Sequence, residues 1–221
     1  MQLYLIRHAE SENNARPGHL RIEDPAITAV GHLQAAQLAQ WIQTLSIDVI
    51  ITSPFLRTLQ TTRAVLDLTS APVWVWHTVF ERGGCYRGFG DDACEGGPGL
   101  GRSAILNHLP MATIDESILE SGWWGGRVRE THEDAVVRAA AVIDRLQTAF
   151  GSSGQTIVAI IHADFKRQLL IQMLAGLADA SFFGPLRNTG ITKVDFDGTR
   201  WRLDWLNSVS HLPAKLITGV E

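Results

Sequence analysis

Short β-branched runs alternating with stretches of helical spacing constrain this chain more than any other feature. Residues 2–7 (QLYLIR), 48–52 (DVIIT), 73–76 (VWVW) and 156–161 (TIVAII) have the length and apolar character of buried strands. Leu38, Trp41, Ile42 and Leu45 recur at i, i+3, i+4 and i+7 in a helix that Thr28 could cap. Ser53-Pro54 reads as an N-cap with proline in the first helical position, opening a helix to about residue 68. Residues 135–150 read as a long amphipathic helix ended by GSSG at 151–154, and another helix runs from Asp164 to about residue 174. Residues 191–196 and 201–206 read as a hairpin about Asp197-Gly198. Strand–helix–strand repetition predicts an α/β fold, a three-layer α/β/α sandwich with a mostly parallel sheet. A chain of 221 residues can build this as a single domain, 1–221. The exception to the pattern is 82–130, which holds 11 of the 20 glycines and reads as a loop-rich insertion over the site.

Ligands of open α/β sheets bind outside the carboxyl ends of the strands. Arg7 and His8 follow the first predicted strand, Arg57 the second and His162 the fourth, so one rim should carry all four. Arg57 falls in the first turn of its helix, where the macrodipole opposes a cation. An anion bound there would resolve the conflict, because helix N–H groups and guanidinium would converge on it. Alone, Arg57 could equally turn to water. Two arginines suit a phosphoryl group, and a neutral imidazole can attack phosphorus. Glu81, beyond the third strand, is either the proton donor to a leaving alkoxide or an exposed loop acid.

Charge narrows the classes further. A net charge of −4 gives no broad basic field for nucleic acid and no basic run for anionic lipid, so neither is an expected partner. The N-terminal apolar run is too short for a signal sequence, and a cytoplasmic protein is expected. Cys85 and Cys94 form no metal-ligand pattern and read as reduced thiols, with a bond across their short loop as the alternative. No metal and no cofactor are expected.

These residues resemble the histidine phosphatase superfamily, the group that includes the cofactor-dependent phosphoglycerate mutases. LIRHAESENN at 5–14 is similar to its RHG-x-S-x-x-N opening, PAITAVGHLQA at 25–35 to its L-T-x-x-G-x-x-Q-A segment, and TSPFLRTLQTTR at 52–63 to its S-x-x-x-R-x-x-Q-T segment. IIHAD at 160–164 stands at the second histidine motif, and NTGIT at 188–192 and NSVSHLP at 207–213 resemble the family's tail. The resemblance implies that His8 becomes phosphohistidine, that Arg7, Arg57 and His162 hold the phosphoryl oxygens, and that Glu81 is the acid and then the base. It also implies phosphate contacts from Ser11 and Asn14. His19, in the loop after His8, and Ala163, beside His162, are further expected pocket residues.

Departures are confined to a few positions. Ala9 replaces a frequent glycine, and Ala163-Asp164 replaces a glycine pair, with Asp164 expected to cap the helix. The FERGGCYRG stretch at 80–88 matches neither the mutase nor the phosphatase pattern, so the placement of Glu81 is weakest there. Trp123-Trp124 serve as a lid, or pack in the core or at a homodimer interface. The expected activity is a metal-independent phosphomonoesterase acting on a small phosphorylated metabolite and releasing inorganic phosphate. The alternatives are a phosphoglycerate-type mutase, a phosphoprotein or phosphohistidine phosphatase, and an inactive phosphate-binding module.

Overall fold

The computed structural model describes residues 1–88, 95–174 and 181–219. Nine strands form a central sheet and a separate ribbon among these residues. The first strand, β1 (Gln2–Arg7), begins the chain and is followed by a one-turn helix, α1 (Glu12–Ala15). The strands β2 (Val49–Thr52), β3 (Val73–Val75) and β7 (Thr156–Ile161) match the other three apolar runs. With β6 (Thr113–Ile114), β8 (Ile191–Phe196) and β9 (Trp201–Ser208) they make a sheet of order β6-β3-β2-β7-β1-β8-β9. Neighbours from β6 to β1 pair in parallel, and β8 and β9 add antiparallel.

The buried strands are apolar on both faces because both faces are covered. Leu3, Leu5, Val49, Ile51, Ile157 and Ile161 face a core closed by α5 (His132–Phe150) and α6 (Ala163–Met173). Tyr4, Ile6, Ile50, Val158 and Ile160 face the other core, under α2 (Ala29–Ile42), α3 (Leu56–Leu66) and α4 (Arg102–His108). This is the expected three-layer sandwich. No helix among the described residues is long and apolar enough to cross a membrane.

Helix starts depart from the sequence reading in an informative way. Thr28 caps α2, accepting from the Gly31 N–H, but α2 stops at Ile42 and leaves Leu45 outside. Ser53 and Pro54 are not the start of α3: Phe55 is its N-cap residue, and the Asp24 carboxylate reaches in to accept the Leu56 N–H at 2.9 Å. Asp164 does not cap α6 either. His162 holds the cap position, and Glu81 accepts from the Asp164 and Phe165 N–H groups. Two carboxylates from distant segments therefore satisfy helix-end donors that local caps would otherwise take.

The 82–130 segment is less of an insertion than its glycines suggest. It contributes α4, the sheet-edge strand β6, and a ribbon of β4 (Tyr86–Arg87) and β5 (Glu95–Gly96). Trp123 and Trp124 are buried in the core at 2% and 4% exposure, the packing role that the sequence offered beside the lid. Two of the glycines make room for them. Gly84 and Gly99 have φ of 87° and 71°, and a Cβ on either would strike the Trp124 or Trp123 ring. Cys85 is buried. Cys94, and with it the question of a bond to Cys85, lies outside the described residues.

Candidate active site

The carboxyl ends of β1, β2 and β7 meet at a cavity of about 330 Å³. Arg7, His8, Ser11, Asn14, Arg57, Glu81 and Ala163 line it, as the sequence predicts. His162 lies beside His8, their ring centroids 5.2 Å apart. His19 is exposed on a short 3-10 turn and is not among the lining residues, so that expectation fails. The described part of 82–130 supplies no lining residue, but at the rim Arg82 pairs with Asp164 at 3.6 Å and the Tyr86 hydroxyl accepts from Arg21 at 3.4 Å.

His8 is held at both ring nitrogens. Nδ1 lies 2.7 Å from the Ala9 carbonyl oxygen, and Nε2 lies 3.2 Å from the Arg57 Nε donor. A proton on Nδ1 and a lone pair on Nε2 satisfy both contacts. Burial first, then Arg57 and Arg7, hold the imidazole well below its usual pKa, so it is neutral. Its backbone is clamped as well. The His8 carbonyl accepts from Asn188 Nδ2 and the Thr189 N–H, and Thr189 adopts a φ of 53°, costly for a β-branched residue.

Arg57 sits at a helix start because tertiary contacts outweigh the dipole. Its guanidinium lies 3.9 Å over the Phe55 ring and 4.0 Å from the Asp24 carboxylate. Burial pushes Asp24 up to about 7, with Arg57 opposing the shift. Arg7 donates to the Leu186 carbonyl at 2.7 Å. Ser53, released from capping, pairs with His162 Nε2 at 2.8 Å, while Nδ1 of this fully buried ring has no partner among the described residues. His162 is also held well below its usual pKa by burial and then by Arg57.

Glu81 Oε1 accepts the Arg82 and Phe165 N–H groups at 2.8 and 3.0 Å, and Oε2 accepts Asp164 N–H at 3.3 Å. Burial and then the Asp164 charge raise its pKa, against Arg57 and these amides. Asn14 accepts from Ser11 Oγ, Ser11 N–H and Asn188 Nδ2 on its amide oxygen, which leaves its NH2 end for the cavity. Ala9 does not crowd the cavity: its methyl packs with Ile27 and Ala35.

Sequence reasoning missed Asn13, Arg21, Arg167 and Leu186 on the cavity wall. Arg167 follows His162 by five positions on α6, a signal that was available. Arg21 sits in an irregular loop beside Tyr86, and nothing in its local sequence marks it.

The fold and this constellation define a class, and the chain belongs to the histidine phosphatase superfamily (branch 1), whose sequence model matches residues 3–209. One relative is the probable phosphoglycerate mutase GpmB of Enterobacter sp. (strain 638), 27% identical over 100% of this chain and 99% of its own. The fold is also that of the alpha-ribazole phosphatase from Shigella flexneri (TM-score 0.66, 21% identity, 94% of this chain and 96% of that one). A mycobacterial glucosyl-3-phosphoglycerate phosphatase is similar too (TM-score 0.64, 19% identity, 94% and 99%).

Proposed function

We propose that this protein is a phosphomonoesterase that transfers the phosphoryl group of a small metabolite to His8 and then to water. The observation that carries the reading is a neutral His8 whose Nε2 lone pair meets Arg57 in a cavity that Glu81 shares. A phosphate dianion would draw the Arg57 guanidinium from Nε2 onto its oxygens, freeing the nucleophile. Arg7, Arg57 and His162 Nδ1–H would then hold charge that spreads over the phosphoryl oxygens in the transition state. Nε2 forms the bond to phosphorus as the ester oxygen leaves, and Glu81 gives that oxygen its proton. The Glu81 carboxylate next takes a proton from water, whose oxygen attacks phosphohistidine, releasing inorganic phosphate and neutral His8. The arginines supply the positive charge, so no step is given to a metal. A cavity of about 330 Å³ suits a small molecule.

The pH dependence follows from the directions of the shifts. His8 must be neutral, which its lowered pKa provides down to acidic pH; Glu81 must be protonated, which its raised pKa extends upward. The expected kcat/KM profile is a bell with a mildly acidic to neutral optimum.

The test is phosphate release from a panel of esters with EDTA present, run beside conversion of 3-phosphoglycerate to 2-phosphoglycerate. Release lost by at least ~10³-fold in His8→Ala, with the fold intact, is expected. A His8→Ala enzyme with most of its activity would end the assignment. The mutase reading has one observation in its favour, the name carried by the GpmB relatives. Isomerisation with little release would establish it instead.

A further inference from the structure

Asp164 is an acid on the wall of a cavity suited to a dianion. Helix capping does not explain it, because Glu81 takes the α6 amides. Its side chain is instead fixed by two cations: Arg167, one turn along α6, pairs with Oδ1, and Arg82 lies 3.6 Å from Oδ2.

Asp164 also touches Glu81 through its backbone, at the carboxyl oxygen with fewer donors. Oε1 already accepts two backbone N–H groups, whereas among the described residues Oε2 has only the long contact from the Asp164 N–H at 3.3 Å. The charged groups facing Glu81 are Asp164 from α6 with its neighbours Arg82 and Arg167, Arg57 from α3, and Arg138 from α5, which is itself paired with Glu130. Arg57 favours the carboxylate. Asp164 opposes it, and after burial it is the largest influence raising the Glu81 pKa.

We propose that Asp164 is a positioning residue that acts through Glu81: fixed by Arg82 and Arg167, its carboxylate keeps Glu81 in the acid form that serves the leaving group. The inference rests on the phosphomonoesterase reading. Asp164 is two-fifths exposed, so solvent screens its charge and the effect is moderate.

Leaving-group dependence separates this role from a structural one. kcat/KM against pH is measured for wild type, Asp164→Asn and Arg82→Gln with two substrates. One is p-nitrophenyl phosphate, whose leaving group departs without a proton, and the other is ethyl phosphate, whose alkoxide needs one. For Asp164→Asn on ethyl phosphate the descending limb moves to lower pH, and kcat/KM above neutrality falls roughly three- to tenfold. On p-nitrophenyl phosphate the same variant shows no loss above neutrality: removing a negative charge from the wall that receives the dianion leaves kcat/KM equal to or above wild type, with the descending limb where wild type has it. Arg82→Gln, which unmasks the Asp164 charge, moves the ethyl phosphate limb to higher pH. An Asp164→Asn profile that overlays wild type, or an equal loss on both esters, overturns the proposal while leaving the function reading intact. A wild-type enzyme that releases phosphate from neither ester overturns both.

Discussion

Asp24 shows how one residue serves the site at a cost to the fold. Its Oδ1 accepts the Leu56 N–H and faces Arg57, while Oδ2 is buried without a partner among the described residues. Burial raises its pKa to about 7 from an ordinary value of 3.8. The unfolded group ionises near its ordinary value, so the folded state is penalised progressively as pH rises from about 4 through 7. Asp24→Asn keeps an acceptor for Leu56 and removes the charge. Thermal unfolding at pH 5 and pH 8 should show wild type losing more stability across this interval than the variant, by on the order of 1–2 kcal/mol. Equal losses would mean that Asp24 does not titrate there. His8, Arg7 and Arg57 were legible from their places at strand ends. Asp24 was not, because its role comes from a contact 32 positions away.

At the scale of elements, the family-like motifs turn out to tie segments together. Gly31 of the PAITAVGHLQA segment lets α2 lie against the Glu10 carbonyl, which a Cβ would strike, and Gln34 accepts the Glu10 N–H. In the second motif Gln60 accepts the Ile27 N–H, and Thr61 accepts the Ala9 N–H. The central strands β1, β2, β3 and β7 were readable to within a residue or two because burial on both faces leaves an unbroken apolar run, whereas β4, β5 and β6, two residues each, were not. Thr28 was read correctly as the cap of α2, but the groups that cap α3 and α6 were not legible, since those carboxylates come from other segments. Segment 82–130 misled for a related reason: its glycines reflect close approach to tryptophan rings as well as open loop. Trp123 packs on Phe55 at 4.7 Å, and Phe55 on His162 at 5.0 Å. Trp123→Ala should therefore cost about 3–5 kcal/mol and lower Tm by roughly 10 °C in thermal unfolding. A lid would give the opposite pattern, an unchanged Tm with a raised KM.

At the scale of the whole molecule, the site exists only when distant parts of the chain meet. Arg7 ends β1 and His8 follows it, Arg57 lies on α3, Glu81 beyond β3, and His162 at the start of α6. The tail closes the assembly: Leu186 accepts from Arg7, Asn188 donates to the His8 carbonyl, and Gln34 donates to the Leu216 carbonyl and the Thr218 hydroxyl. An anion that uses this set binds the folded chain and not the unfolded one, so it must raise the unfolding temperature. Inorganic phosphate at ~100 times its Kd adds about 2.7 kcal/mol, a rise in Tm of roughly 5–10 °C for a domain of this size. Arg57→Ala removes the guanidinium nearest His8 Nε2 and should abolish most of that rise, whatever it does to the starting Tm. An equal rise in the variant would place phosphate elsewhere on the surface. No rise in wild type at tens of millimolar would mean that the arginines and His162 do not converge on a phosphoryl group, and the proposed chemistry would lose its binding site.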